Sequence, residues 1–110
     1  MKGQRFLGEL EQMAMLVVAR LGGDAYGASI RRELEVRVGR RVTHGAAYVT
    51  LDRLEAKGYL SSTVGESGPR RGGRPRRYFT VTPEGAQALL TTRAAFEDLW
   101  DGMTELLERM

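Results

Sequence analysis

Residues 42–82 limit this chain more than any other stretch. They hold a helix-patterned run, VTHGAAYVTLDRLEAKG, and then GESGPRRGGRPRRYFTVT. In the first run Ala47, Leu51 and Leu54 recur at steps of four and three, which is one apolar stripe at helical spacing. Thr43 suits the N-cap, where its hydroxyl accepts from an unpaired backbone N–H of the first turn. Gly58 suits the position just past the helix, where φ is usually positive. Opposite the stripe lie Gly45, Ala46, Val49, Thr50 and Arg53, a face of little bulk with one long cation. The second run sets five arginines, Arg70, Arg71, Arg74, Arg76 and Arg77, among glycines and a proline. Strand-like runs at residues 59–64 and 78–82 flank it. A slim helix followed at once by a guanidinium-rich hairpin predicts a winged helix-turn-helix, α+β but mainly α. Such a helix fits a major groove, and such a loop fits the backbone or minor groove beside it.

The charge distribution agrees. The 110 residues carry 17 basic and 14 acidic side chains, a net of +3, but the surplus is local. Residues 20–82 hold 13 basic and 6 acidic groups, whereas residues 83–110 hold 2 and 6. A polyanion would therefore dock on the middle of the chain. There are no cysteines, so disulfides and thiolate metal sites are excluded. His44 is the only histidine, which argues for a surface residue rather than a metal ligand; no metal or cofactor is implied. No apolar run is long enough to span a bilayer and no signal peptide is evident, so no membrane role and a cytoplasmic location are expected. No nucleophile–base pair or paired carboxylates stand out, and the glycines at 65, 68, 72 and 73 belong to a hairpin rather than to a phosphate-cradling turn; an enzyme is not expected.

In chain order, residues 8–21 read as a first helix, with Leu7, Leu10, Ala14, Val17 and Leu21 on one face and Met13, Leu16 and Val18 widening it. Gly22 and Gly23 end it, and Asp24 is expected to cap a second helix over residues 25–38. There Tyr26, Ile30, Leu34 and Val38 step by four, and Arg31, Arg32 and Arg37 point to solvent, where, with Glu33 and Glu35 among them, they form either a solvated face or DNA contacts. Thr82, Pro83 and Glu84 supply a hydroxyl cap, a proline at the first position and a carboxylate at the positive dipole end. With no later proline, one helix is expected from 83 to about 109. Leu89, Phe96, Met103 and Met110 repeat at sevens, with Leu99, Trp100, Leu106 and Leu107 beside them and Thr92 as a weak point. So apolar a helix needs cover from the first helix and from a twin, which predicts a homodimer. The expected division is a winged-helix DNA-binding domain over 1–82 and a dimerisation helix over 83–110. Its interface would comprise Leu10, Met13, Ala14, Val17, Leu89, Phe96, Leu99, Trp100, Met103, Leu106 and Leu107.

The runs GELEQMAMLVVARLGGDAYGASIRREL, THGAAYVTLDRLEAKGYL and GRPRRYFTVTPEGAQAL resemble the PadR family of bacterial transcriptional regulators. The likeness covers residues 7–90 and rests on several motifs in order: Ala25-Tyr26-Gly27 with Ile30, Ala47-Tyr48, Leu51-Asp52-Arg53-Leu54, Lys57-Gly58, and Arg74-Pro75-Arg76-Arg77-Tyr78. Val49 departs from it, since many relatives carry proline there. The resemblance implies a dimeric winged-helix protein that binds double-stranded DNA, usually as a repressor. It further implies dimerisation through a C-terminal helix packed on the partner's first helix, here in a short form with one such helix.

The DNA-binding candidates are Thr43, His44, Ala46, Tyr48, Val49, Thr50, Arg53, Lys57, Arg70, Arg71, Arg74, Arg76 and Arg77. Arg53 and Thr50 would face base edges, Arg74 beside Pro75 would enter a minor groove, and the other wing arginines would neutralise phosphates. Tyr48 either donates to a phosphate or merely packs. Arg53 could pair with Asp52 or Glu55 instead, and Lys57 could serve the helix terminus. Met13, Phe96, Trp100 and Met103 either fill a dimer interface or receive a small aromatic or hydrophobic effector, as in some PadR relatives. A winged-helix adaptor that binds protein rather than DNA is the alternative from another class.

Overall fold

In the computed structural model, residues 6–65 and 75–110 are described. Helix α1 spans Glu9–Leu21, α2 Gly27–Val38 and α3 His44–Ala56; strands β1, Leu60–Val64, and β2, Arg77–Val81, follow, then α4, Pro83–Trp100, and α5, Met103–Glu108. The strands pair antiparallel, with Leu60 opposite Val81, Ser62 opposite Phe79 and Val64 opposite Arg77. Tyr26 forms an extra bridge to Tyr78, and the Phe79 N–H donates to the Ala25 carbonyl at 2.8 Å. The hairpin is thereby stitched to the start of α2. This is a mainly helical α+β winged helix.

The core forms where the apolar stripes meet. Met15 and Val18 of α1, Ile30 and Leu34 of α2, Leu51 and Leu54 of α3, and Leu60 and Phe79 of the hairpin are all buried. Thr43 caps α3 as expected, accepting from the Ala46 N–H at 3.1 Å, and Gly58 follows it with φ of 82°. The Thr82 hydroxyl has two duties. It accepts from the Gly85 N–H at 3.0 Å to cap α4, and it donates to the Gly58 carbonyl at 2.6 Å, tying the start of α4 to the end of α3.

Several expectations are corrected. Asp24 does not cap α2; it lies in a short 3₁₀ turn, Gly22–Asp24, and its carbonyl accepts from the Ser29 hydroxyl at 2.6 Å. Helix α2 begins two residues late because Ala25 and Tyr26 are extended and drawn into the sheet. Arg31 is not a free solvent cation: its Nε donates to the Val42 carbonyl at 2.9 Å. The C-terminal helix is not continuous. Asp101 leaves the helical region with ψ of 120°, and Gly102 takes φ of 77°. Helix α4 is therefore about 27 Å long at 1.5 Å per residue, and the sevenfold repeat stops at Trp100. Thr92 is no flaw in a seam. It is 1% exposed, and its hydroxyl accepts from the Leu7 N–H at 3.1 Å, clasping the segment before α1 to the middle of α4.

Candidate nucleic-acid interface

Helix α3 turns Ala47, Leu51 and Leu54 inward, and this leaves Thr43, His44, Gly45, Ala46, Val49 and Arg53 exposed. Thr50 and Tyr48 are half-buried at the edges of that face. The His44 ring lies against the Tyr48 ring, centroids 4.7 Å apart and tilted 49°. Tyr48 in turn lies across Gly27, the first residue of α2; a Cβ there would stand 2.6 Å from the tyrosine hydroxyl. Glycine at 27 thus lets an aromatic ring of α3 seat on the N-terminal turn of α2. That turn carries partial positive charge and unpaired N–H groups, which favour an anion nearby.

Arg53 projects from the exposed face and makes no ion pair among the described residues. The reason is visible next to it. Asp52 and Glu55, its sequence neighbours and the carboxylates that could have neutralised it, are both engaged by Arg77 of β2. Arg77 Nη1 donates to Asp52 Oδ1 at 2.8 Å, Nη2 donates to Glu55 Oε1, and Nε donates to the Ser62 hydroxyl at 3.2 Å. Its guanidinium carbon also sits 4.8 Å from the centroid of the buried Phe79 ring. Arg77, expected to neutralise phosphate, is therefore corrected to a bracket that fixes the wing onto α3. The acidic partners for it come from the helix rather than from the loop.

Hydrogen bonds from the Ser62 hydroxyl, and then from Arg77, favour the ionised Glu55 carboxylate and hold its pKa below the usual glutamate value. A folded-state pKa below the unfolded one contributes stability above the ordinary glutamate range and loses it as pH falls through the lowered value. Substituting Arg77→Met should cost about 1–2 kcal/mol at neutral pH, because two partly exposed carboxylates are left facing each other. It should also remove the Arg77 part of that acid-side dependence. Urea titrations of both proteins across the acid range will measure this, and superimposable pH–stability curves would refute the bracket.

Lys57, another DNA-binding candidate, is engaged within the chain as well. Its ammonium pairs with Glu11 of α1 at 2.6 Å, while Arg40, in the turn before α3, pairs with Glu9 at 2.6 Å. Two carboxylates from the first turn of α1 thus hold the approach to α3 and its far end. Burial of Glu11 raises its pKa, but the bonds from Lys57 and the Gly8 N–H outweigh this and leave it lowered. Arg76 stacks on Tyr26, its guanidinium carbon 4.0 Å from the ring centroid, and Tyr26 meets Tyr78 edge-on at 5.7 Å. Arg70, Arg71 and Arg74 lie outside the described residues.

On the other side of the molecule, Ala14 and Val17 are buried in the chain's own core, and Leu10, Met13 and Leu89 pack against it. Ala14 and Val17 have little surface left for a partner, whereas Leu10, Met13 and Leu89 keep part of theirs. Phe96, Leu99, Trp100, Leu106 and Leu107 are exposed; Met103 is half-buried. Leu16 and Leu90, not among the expected interface residues, are exposed in the same region. With Val81, Leu89, Phe96 and Trp100 they line an apolar groove of about 750 Å³ between α1 and α4. Of the four effector candidates, Phe96 and Trp100 line this groove; Met13 borders a separate cleft between α1 and α2. Among the described residues no helix is long and apolar enough to cross a membrane, and no cluster of three potential metal ligands occurs.

Comparison with known proteins agrees with this architecture. Residues 15–91 match the model of the transcriptional regulator PadR-like family. The transcriptional regulator Rv3488 of Mycobacterium tuberculosis is 42% identical over 76 residues, which cover 69% of this chain and 66% of that protein. A PadR-like transcription factor from Bacteroides fragilis superposes with a TM-score of 0.74 at 28% identity, covering 88% of both chains. A PadR family transcriptional regulator from Eggerthella lenta does so with a TM-score of 0.68 at 31% identity, over 90% of this chain and 86% of that one. Each of these relatives is described as a transcriptional regulator or transcription factor. A match across most of the winged helix, with the sequence motifs in order and the fold reproduced, places this chain in the PadR-like family of transcriptional regulators.

Proposed function

We propose that the protein is a dimeric, sequence-specific DNA-binding repressor. Two copies of α3 enter successive major-groove turns of a pseudo-palindromic operator, about 34–36 Å apart. The observation that carries this reading is Arg53: exposed on a small-residue helix face, with both neighbouring carboxylates taken by Arg77. Arg53 and Thr50 read base edges, with Ala46 and Val49 leaving room for close approach. Thr43, His44 and Tyr48 meet phosphate at the helix N-terminus, and Arg70, Arg71, Arg74 and Arg76 grip the neighbouring backbone and minor groove. The exposed apolar residues of α4 and α5 are covered by the second copy, and the apolar groove beside Trp100 receives a small hydrophobic effector that releases the operator. The site of action is the cytoplasm, where the chromosome of a bacterial regulator lies.

The test starts from genomic fragments selected with the purified protein. Arg53→Ala is expected to weaken each half-site of the selected duplex about 10- to 100-fold and to relax its preference over random duplex, as loss of one bidentate base contact per half-site does. Fluorescence anisotropy at several salt concentrations reads both effects. Absence of any duplex binding at low salt would overturn the proposal in favour of a protein-binding adaptor.

A further inference from the structure

The arginines of α2 have no part in the reading above. Residues 31–41 contain five arginines. Three of them meet a carboxylate: Arg37 with Glu33 at 2.6 Å, Arg40 with Glu9 at 2.6 Å, and Arg41 with Glu35 at 3.1 Å. Arg31 and Arg32 meet none among the described residues. Arg31 is nevertheless held in place, since its Nε donates to the Val42 carbonyl at 2.9 Å and so fixes the plane of the guanidinium. The two Nη groups are left for another acceptor.

Arg31, Arg32 and Arg41 converge with Glu35 and Thr43 on a cavity of about 520 Å³. Three guanidinium groups around one carboxylate leave a local surplus of positive charge, which an anion would relieve. The only carboxylate there, Glu35, holds Arg41 through an exposed pair of the kind worth at most about 1 kcal/mol, so it yields to a stronger acceptor. Guanidinium groups match phosphate oxygens in bidentate geometry. The cavity's position adds the second half of the argument. Thr43 lines it and also caps α3, so the cavity opens beside the entry of the recognition helix. In helix-turn-helix docking the helix before the recognition helix crosses the duplex backbone.

We infer that this cavity is a phosphodiester-docking site, in which Arg31, Arg32 and Arg41 hold the duplex backbone next to the groove entered by α3. The inference rests on the DNA-binding reading and names a set of contacts that reading did not contain. Arg31 is the fixed member, pre-aimed by Val42; Arg32 and Arg41 swing onto the phosphates from either side, and Glu35 sets a charge threshold that weak anions do not cross.

The test is the salt dependence of binding to random-sequence duplex, read by anisotropy for the full chain. Each phosphate contact contributes roughly 0.9 to the slope of log K against log salt. Arg32→Gln with Arg41→Gln removes two contacts from each protomer of the dimer, so it should flatten the slope by about three to four units and leave the ratio of selected to random affinity unchanged. Glu35→Gln should tighten binding, an effect that a purely structural role for Glu35 would not produce. If the double variant is poorly folded by circular dichroism, the exposed Arg32→Gln alone carries the test, with a change of about two units for the dimer. An unchanged slope in these variants, alongside a wild type that binds and an Arg53→Ala variant that binds less well, would overturn the docking site and spare the DNA-binding reading. A wild type that does not bind duplex at low salt would sink both.

Discussion

Replacing Phe96 and Leu99 together by aspartate is expected to yield a folded monomer whose affinity for a two-half-site operator is lower by about 10²- to 10⁴-fold. Both side chains stand on α4 with 49% and 74% of their surface in water, so neither supports the chain's own core. Trp100, Leu106 and Leu107 are exposed beside them, and the groove against α1 continues the same apolar surface. A contiguous apolar surface of this kind marks a contact site rather than ordinary scatter. Placing two carboxylates in it costs several kcal/mol of desolvation in a dimer and nothing in a monomer. The affinity loss follows from geometry. A dimer binds its second half-site intramolecularly, at high effective concentration, whereas monomers must each bind from solution. Sedimentation at micromolar concentration reads the first effect. Anisotropy with a full site and a half site reads the second, and half-site affinity should barely move. A variant that still sediments as a dimer would remove α4 from the interface.

The second large effect concerns Gly85, and here two principles predict opposite signs. Gly85 is the third residue of α4, and by helix propensity alone alanine there would stabilise by about 1 kcal/mol. Packing says otherwise. A Cβ at Gly85 would overlap the backbone carbonyl of Tyr59 and press on the Met15 side chain at 3.0 Å. The Tyr59 carbonyl is not free to retreat, because it accepts from the Thr82 N–H at 3.1 Å just where the Thr82 hydroxyl ties α4 to α3. Gly85→Ala must therefore lift the first turn of α4 away from the end of α3. The expected loss is on the order of 2–4 kcal/mol, measured as a lower urea midpoint at unchanged slope. A midpoint equal to or above that of the wild type would mean that α4 can shift without disturbing the clasp.

How readily each feature was legible depends on how far along the chain its cause extends. The cap at Thr43, the positive φ at Gly58 and the Thr82–Pro83 start of α4 were all readable, because each is decided within a few residues by hydrogen bonding or backbone sterics. The break at Asp101–Gly102 was equally local; Asp-Gly is a turn signal, and a sustained sevenfold apolar repeat masked it. Thr92 and Arg77 were different. Each looked like a residue out of place, a polar gap in a seam and one more cation in a basic loop. Their partners, the Leu7 amide and the Asp52–Glu55 pair, lie 85 residues and about one helix-plus-wing away.

The sequence by itself determined the winged-helix order, the outward face of α3 and the concentration of positive charge in the middle of the chain, since periodicity, capping and composition act locally. Only the tertiary structure decided which cations remain for a polyanion. Among the described residues Arg53 is left unpaired, whereas Arg77, Lys57 and Arg40 pair with carboxylates from other elements. Charge counts along a chain cannot separate these cases, because an ion pair depends on separation in space and falls off over a few ångströms.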